Sequence, residues 1–320
     1  MQGVSRLGSN TAFMSFEDIL LDFRSRFVIE ESEKNIEVIS VKHEKILPKD
    51  AIAFAVLLSS TSSSFGESTR FFFVNNKNLF LNVEIRDLQD GLTAIVTGKK
   101  PSCGFEFLRE VNLLEIYFPW LYDCYGVKQN EYHSYDVYYH LIYSCDSAVP
   151  ELIIRLSALF HDIGKVKAKR KIQKGEDEKD VFYNHEIIGT NITFKVLKQL
   201  GFEKKLIKKV SRLVRYHMFH YTPEWTDKAV RRFIKTADID MEDLFKLREA
   251  DRNGNNKRVK TTNKMLELKN RIKHVIEYDS RKTAKDLAVN GYDIMEIFGL
   301  KEGPVVGKIL NHLLHFFIED

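Results

Sequence analysis

The stretch Leu156–Gly164, LSALFHDIG, with Lys165 directly after it, constrains this chain more than any other. Leu152, Ile153, Ile154, Leu156, Leu159 and Phe160 repeat at helical spacing, which predicts a buried helix carrying His161 and Asp162 in its last turn. Gly164 stands where a helix end favours a residue that tolerates left-handed backbone. Burying an imidazole beside a carboxylate is costly unless the two are paired or coordinated. Neighbours on a helix diverge by about 100°, which fits two ligands on one ion, or one ligand and one supporting group. A lone His-Asp pair is common in cores, so the weight falls on what the rest of the chain supplies.

It supplies four more candidate ligands. His140 lies in DVYYHLIYSC, His185 in YNHEIIG, His217 in LVRYHMFH and Asp251 in LFKLREADRNG, each on its own helix-like segment. Helical bundles build metal centres from facing helices in this way. Four histidines suit a first-row transition metal, and the aspartate oxygens leave room for Mg or Mn. The cofactor expected is one divalent ion or two, from among Mg, Mn, Ni, Co, Fe and Zn.

The order H…HD…H…H…D resembles the HD-domain metal phosphohydrolases. A longer match narrows this. KPSCGFEFLREVNLLEIYFPWL (100–121), GVKQNEYHSYDVYYH (126–140), LSALFHDIGK (156–165), FYNHEIIGT (182–190), DKAVRRFI (227–234), LREADRNG (247–254) and DLAVNGYDIMEIFGLKEGPVVGKIL (286–310) resemble the body and HD region of bacterial tRNA nucleotidyltransferases and poly(A) polymerases. The head of that family carries a Gly-Gly/Arg-Asp phosphate-binding element and a pair of metal-binding acids, and neither is found in residues 1–100. Glu17 and Asp18 only hint at its Glu-Asp-x-x-Arg element, since Leu21 stands where the Arg should be. Nucleotidyl transfer is therefore not expected from this chain alone.

The resemblance implies a metal-dependent phosphohydrolase acting on 2′,3′-cyclic phosphates, 2′-nucleotides and related esters. His140, His161, Asp162 and Asp251 are expected to hold one ion, which would acidify a water and polarise a P–O bond. His185 and His217 either hold a second ion or donate hydrogen bonds to the scissile phosphate. Lys165 is expected to meet a substrate phosphate, against the plain alternative of a solvated lysine. Glu186 is a general-base or supporting candidate, and His133 and Asp136 are read as capping or supporting groups. The competing function is a non-catalytic tRNA-binding body working with a separately encoded head, or a truncated remnant of such an enzyme.

Charge adds an expectation about partners. The net charge of +4 is modest, but KVKAKRKIQK (165–174) and EKKLIKKVSRLVR (203–215) concentrate basic residues. Such runs are either solvated surface or a track for RNA phosphates, and the partners expected are nucleotides and RNA, as tRNA or RNA 3′ ends. A hydrophobic fraction of 44% with no membrane-length apolar run excludes a spanning protein. Cys103, Cys124 and Cys145 form no CxxC pair and read as reduced packing residues of a cytoplasmic protein.

The fold expected is all-α: an HD helical bundle, a helical neck and a C-terminal helical region, with a short β-hairpin near 68–85. Domains are expected at 1–84 (atypical, partly disordered), 85–130 (neck and body), 131–256 (HD domain) and 257–320 (C-terminal helices). Ser15 is a plausible cap for a helix over Phe16–Phe27, and 28–43 is open between helix and strand. GEDEKD, between the basic run and FYNHE, is read as a mobile flap. The apolar positions of the C-terminal pair, Ile294, Ile297, Phe298, Val306, Ile309, Leu313 and Leu314, are read as core.

Overall fold

The computed structural model describes residues 15–42, 46–129, 134–174, 177–255 and 262–319. Two compact units are present. The first spans residues 1–218 and 246–258, the second 219–245 and 259–320.

The first unit opens with helix α1 (Phe16–Arg26), begun by a capping box in which Ser15 and Asp18 satisfy each other's amides. Strands β1 (Phe27–Glu31) and β2 (Asn35–Val41) form an antiparallel hairpin, with a bulge between Val28 and Ile29. Helix α2 (Asp50–Thr61) is buried from Asp50 through Ser59, so it has no solvent face. Its buried Asp50 is held by the Arg26 guanidinium and accepts from Leu47 N at 2.7 Å. Strand β3 (Ser64–Phe65) adds to β2 in parallel.

Helix α3 (Glu67–Asn75) and a 3-10 turn at Lys77–Phe80 occupy the place where a hairpin was expected near 68–85. RFFFV reads as strand by local propensity, but packing decides. Phe73 sits 5.4, 5.1 and 4.9 Å in ring-centroid distance from Phe54, Phe80 and Phe107, and Thr69, one turn earlier, is buried with it. A strand would send alternate rings to opposite faces and break up that cluster. The short hairpin of the N-terminal region exists, but it lies at 27–41.

Helices α4 (Ile85–Thr97), α5 (Pro101–Glu110), α6 (Leu114–Tyr117), α7 (Pro119–Tyr122), α8 (Val137–Ser147) and α9 (Leu152–Phe160) follow. After the short α10 (Lys165–Ala168) come strands β4 (Arg170–Lys174) and β5 (Asp177–Val181), an antiparallel hairpin within a region expected to be helical. Opposite charges face each other across it. The basic run supplies β4 and the acidic GEDEKD supplies β5, with Lys171 on Glu178 at 2.5 Å and Lys169 on Asp180 at 2.8 Å. The expected flap is thus largely one arm of this ribbon, with residues 175 and 176 outside the described residues.

Helix α11 (His185–Gln199) and α12 (Lys204–Tyr216) complete the core of this unit. On α12, Ile207, Val210, Leu213 and Val214 are buried at helical spacing, and Lys204, Lys205 and Lys208 are exposed.

The second unit contains α13 (Asp227–Ala237), α15 (Thr262–Ser280), α16 (Gly291–Phe298) and α17 (Pro304–Glu319), while α14 (Met241–Asn253) runs from it into the first. Its core gathers Tyr221, Val230, Phe245, Leu268, Ile272 and Val275. Arg231 ties α13 to α15 through Asp279 at 2.8 and 2.9 Å. Of the C-terminal positions read as core, Ile294 and Val306 are buried, whereas Ile297 and Phe298 are 68% and 60% exposed. A two-helix hairpin has one inner seam, too narrow for two apolar stripes on α16. Among the described residues, no helix is long and apolar enough to cross a membrane.

Candidate metal centre

Five elements deliver the six expected ligands. Asp136 caps α8, accepting from Tyr139 N at 2.8 Å and Gly126 N at 2.7 Å, and so sets the start of the helix that carries His140. His133 lies outside the described residues. His161 ends α9, His185 opens α11, His217 ends α12 and Asp251 lies near the end of α14. Except for half-buried Asp251, all are buried.

Two glycines bring these helices together. Gly164 has φ −65°, so it does not serve as the left-handed helix stop expected of it. Its role is close approach: a Cβ there would lie 2.0 Å from His185 O and 2.6 Å from Gly189 N. Gly254 presses the end of α14 against α8, where a Cβ would lie 2.5 Å from Ser144 N, one turn past His140.

The ligand atoms converge. His140 Nε2 lies 3.1 Å from His161 Nε2, 3.3 Å from Asp162 Oδ2 and 3.2 Å from Asp251 Oδ1. His161 Nε2 is 3.4 Å from Asp162 Oδ2 and 3.5 Å from Asp251 Oδ1. Ligands about 2.1 Å from one ion stand about 3.0 Å apart in octahedral and about 3.4 Å apart in tetrahedral geometry. The other carboxylate oxygen, Asp162 Oδ1, lies 3.2 Å from His185 Nε2 and 3.5 Å from His217 Nε2. Asp162 therefore faces two groups of donors, His140–His161–Asp251 and His185–His217, one with each oxygen.

The ring tautomers are set by the backbone. His161, His185 and His217 each place Nδ1 at 2.7–2.8 Å from the carbonyl three residues earlier, on Ala158, Phe182 and Val214. A carbonyl only accepts, so Nδ1 carries hydrogen, and a neutral ring then offers an Nε2 lone pair to the centre. His185 Nε2 and His217 Nε2 are buried and have no hydrogen-bond partner among the described residues, as expected of donors aimed at a cation.

Electrostatics agree. Burial opposes a charge on His161, but Asp162 and Asp251 outweigh it and push the imidazole up to about 10. Against burial, Lys165, His161 and His140 hold Asp162 well below the carboxylate range, and His140 and His161 do the same for Asp251. Burial pushes His217 down, opposed by Asp162 and reinforced by His161. A protonated His161 must lose its proton to ligate. Mn(II) affinity should therefore rise about tenfold per pH unit through neutrality and flatten near pH 10. Calorimetry in buffers of differing ionisation enthalpy reads the released proton, and no release near pH 8 would contradict this assignment.

Lys165 is buried, not solvated, with Nζ 2.6 Å from Asp162 Oδ2 and 2.6 Å from Gln129 Oε1. Glu186 accepts from Arg215 Nη1 at 3.1 Å and lies 4.0 Å from His185 Nδ1, on the side of that ring away from the centre. Two supporting residues carry no mark in the sequence that singles them out. Gln129 orients Lys165, and Arg248 donates to Asp251 Oδ2 at 2.7 Å, leaving Oδ1 to the histidines. Gln129 precedes α8 without a spacing signal, and Arg248 stands one turn before Asp251 on α14.

Comparison with known proteins places this centre in context. Residues 185–320 match the family described as tRNA nucleotidyltransferase domain 2. The chain is 27% identical over 300 residues to a CC-adding tRNA nucleotidyltransferase of Thermus thermophilus, covering 92% of this chain and 66% of that one. It is 26% identical over 236 residues to an A-adding tRNA nucleotidyltransferase of Deinococcus radiodurans, covering 71% of this chain and 52% of that one. The chain thus spans about two thirds of one relative and about half of the other.

Proposed function

We propose that this chain, related to the tRNA nucleotidyltransferases through its body region, is a metal-dependent phosphohydrolase acting on RNA ends or nucleotides. The observation that carries the reading is the approach of His140 Nε2, His161 Nε2, Asp162 Oδ2 and Asp251 Oδ1, with separations of 3.1–3.5 Å. A divalent ion held there supplies Lewis acidity toward a phosphoryl oxygen and an acidified water. Asp162 spans both donor groups, so it fixes the spacing between them. Lys165 brings a positive charge beside Asp162 to meet the phosphate, and Gln129 keeps its ammonium in place. His185 and His217 take either a second ion or hydrogen bonds to the phosphate. The test is hydrolysis of a 2′,3′-cyclic nucleotide with Mn, Ni, Co or Mg. Activity should vanish on chelation and return with metal, and activity that resists chelation sinks the reading.

A second reading, a tRNA-binding body without catalysis of its own, is favoured by the relatives' acceptor and by the lysine face of α12. If that face tracks phosphates, replacing Lys204, Lys205, Lys208 and Lys209 with glutamine should lower the salt slope of RNA binding by about 3, at roughly 0.7 for each single-strand phosphate no longer neutralised. An unchanged slope in filter binding rules the face out. In that reading, nucleotidyl transfer belongs to a head domain acting with this body.

A further inference from the structure

We infer that Asn184 is a positioning residue for His185, held in left-handed backbone so that this ring faces the metal centre, and this rests on the metal-centre part of the phosphohydrolase reading above. Four non-glycine residues among those described have positive φ: Ser62, Asn112, Asn184 and Asp238. Of these, only Asn184, at φ 59° and ψ 21°, adjoins a candidate ligand. It stands at the start of α11, where an asparagine ordinarily caps the helix by accepting backbone amides through its side chain. Asn184 makes no such capping bond among the described residues, so capping does not account for its conformation.

A turn does account for it. His185 N donates to Phe182 O at 3.3 Å, closing a β-turn over residues 182–185 with Asn184 third. The third place of a type II turn needs positive φ, which glycine or asparagine supplies. The closing carbonyl accepts a second time, from His185 Nδ1 at 2.8 Å. One oxygen thus fixes both where the residue starts and how its ring is rotated, and Nε2 then lies 3.2 Å from Asp162 Oδ1. The same turn brings the Phe182 ring within 5.7 Å of Lys165 Nζ. On the far side of His185 the chain is packed so closely that a Cβ on Gly164 would lie 2.0 Å from His185 O. Little room is left for the turn to relax if Asn184 leaves the left-handed region.

The test compares Asn184→Val with Asn184→Gly and Asn112→Val in the full chain. Asn112 is the matched control: the same residue type, also exposed, with the same φ of 59°, and outside both donor groups. Valine resists left-handed backbone at either place, whereas glycine accepts it. Mn(II) affinity by equilibrium dialysis should fall about 10- to 100-fold in Asn184→Val, the usual effect of disturbing a group that orients a ligand. Asn184→Gly and Asn112→Val should bind as wild type, although Asn112→Val melts lower. Without metal, the Nδ1–H proton resonance of His185, identified by its absence from His185→Asn, should be lost to solvent exchange in Asn184→Val alone. If the valine variant does not fold, Asn184→Ala, with a milder clash, is read in its place. Wild-type Mn(II) affinity with an intact Nδ1–H resonance in the folded variant overturns the assignment. So does an Asn184→Gly that loses as much metal as Asn184→Val, since the side chain would then be what acts. An equal loss in Asn112→Val also overturns it, by revealing a general effect of instability. The expected pattern of Mn(II) uptake in a protein that hydrolyses no phosphate ester supports the role of Asn184 and removes the phosphohydrolase reading alone.

Discussion

Asp162→Ala should strip the protein of metal at both donor groups and destabilise it at the same time. One carboxylate faces His140, His161 and Lys165 with Oδ2, and His185 and His217 with Oδ1, at 2.6–3.5 Å. Without it, a buried ammonium and an imidazole lose their counter-charge, and breaking such a pair costs about 3–5 kcal/mol. Metal affinity should fall by about a thousandfold or more, since a shared ligand is lost from both groups. Asp162→Asn keeps the volume and should separate the two effects by retaining more stability than metal affinity. Thermal melts with and without Mn(II), paired with equilibrium dialysis, read both quantities. Wild-type Mn(II) uptake by the alanine variant would show that the cluster is structural. The far-UV spectrum should stay helical, because no core side chain is removed.

The second large effect involves no functional group. Gly164→Ala would place a methyl 2.0 Å from His185 O and 2.6 Å from Gly189 N, both backbone atoms that cannot swing aside. Either the turn after Asp162 or the first turn of α11 must move. The expected cost is about 3 kcal/mol or more, at the upper end for overpacking. Dialysis should also show His185 withdrawn from the centre as lost metal. Gly126→Ala is the matched control, with φ +75° and open space around it, so it carries only the left-handed penalty of about 1 kcal/mol. If Gly164→Ala melts no lower than Gly126→Ala, close packing of α11 on this turn is not what holds the site.

The sequence conveyed the helical frame well, for a physical reason. Over 85–97, apolar positions at helical spacing and a terminal glycine locate α4 to the residue, and α12 is legible from its alternation of lysine and apolar turns. The same local logic misplaced the hairpin. Phe71–Phe73 look like strand until Phe54, Phe80 and Phe107 are seen to surround Phe73, and those partners come from other parts of the chain. The basic run after the His-Asp pair reads as solvated surface or a phosphate track, and its pairing with β5 rests on a strand partner that local reading leaves apart from it. At the site, residue types and order were enough to name six residues that the fold brings together. Gln129 and Arg248 were missed because a supporting hydrogen bond leaves no periodic trace. Gly164 was noticed for its conformational freedom, although its lack of a side chain is what the packing uses.

The three histidines that lean on carbonyls of Ala158, Phe182 and Val214 carry a consequence for how such a centre changes over generations. Many metal sites orient their imidazoles with carboxylate side chains, so a single codon change in that outer layer can spin or protonate a ligand wrongly. Here the orienting acceptor is main chain, present whatever residue occupies the position three before each histidine. Alanine, phenylalanine and valine already fill those positions. Substitution at these three positions therefore leaves the three ring tautomers fixed, whereas Gln129 and Arg248 still act on the centre through their side chains.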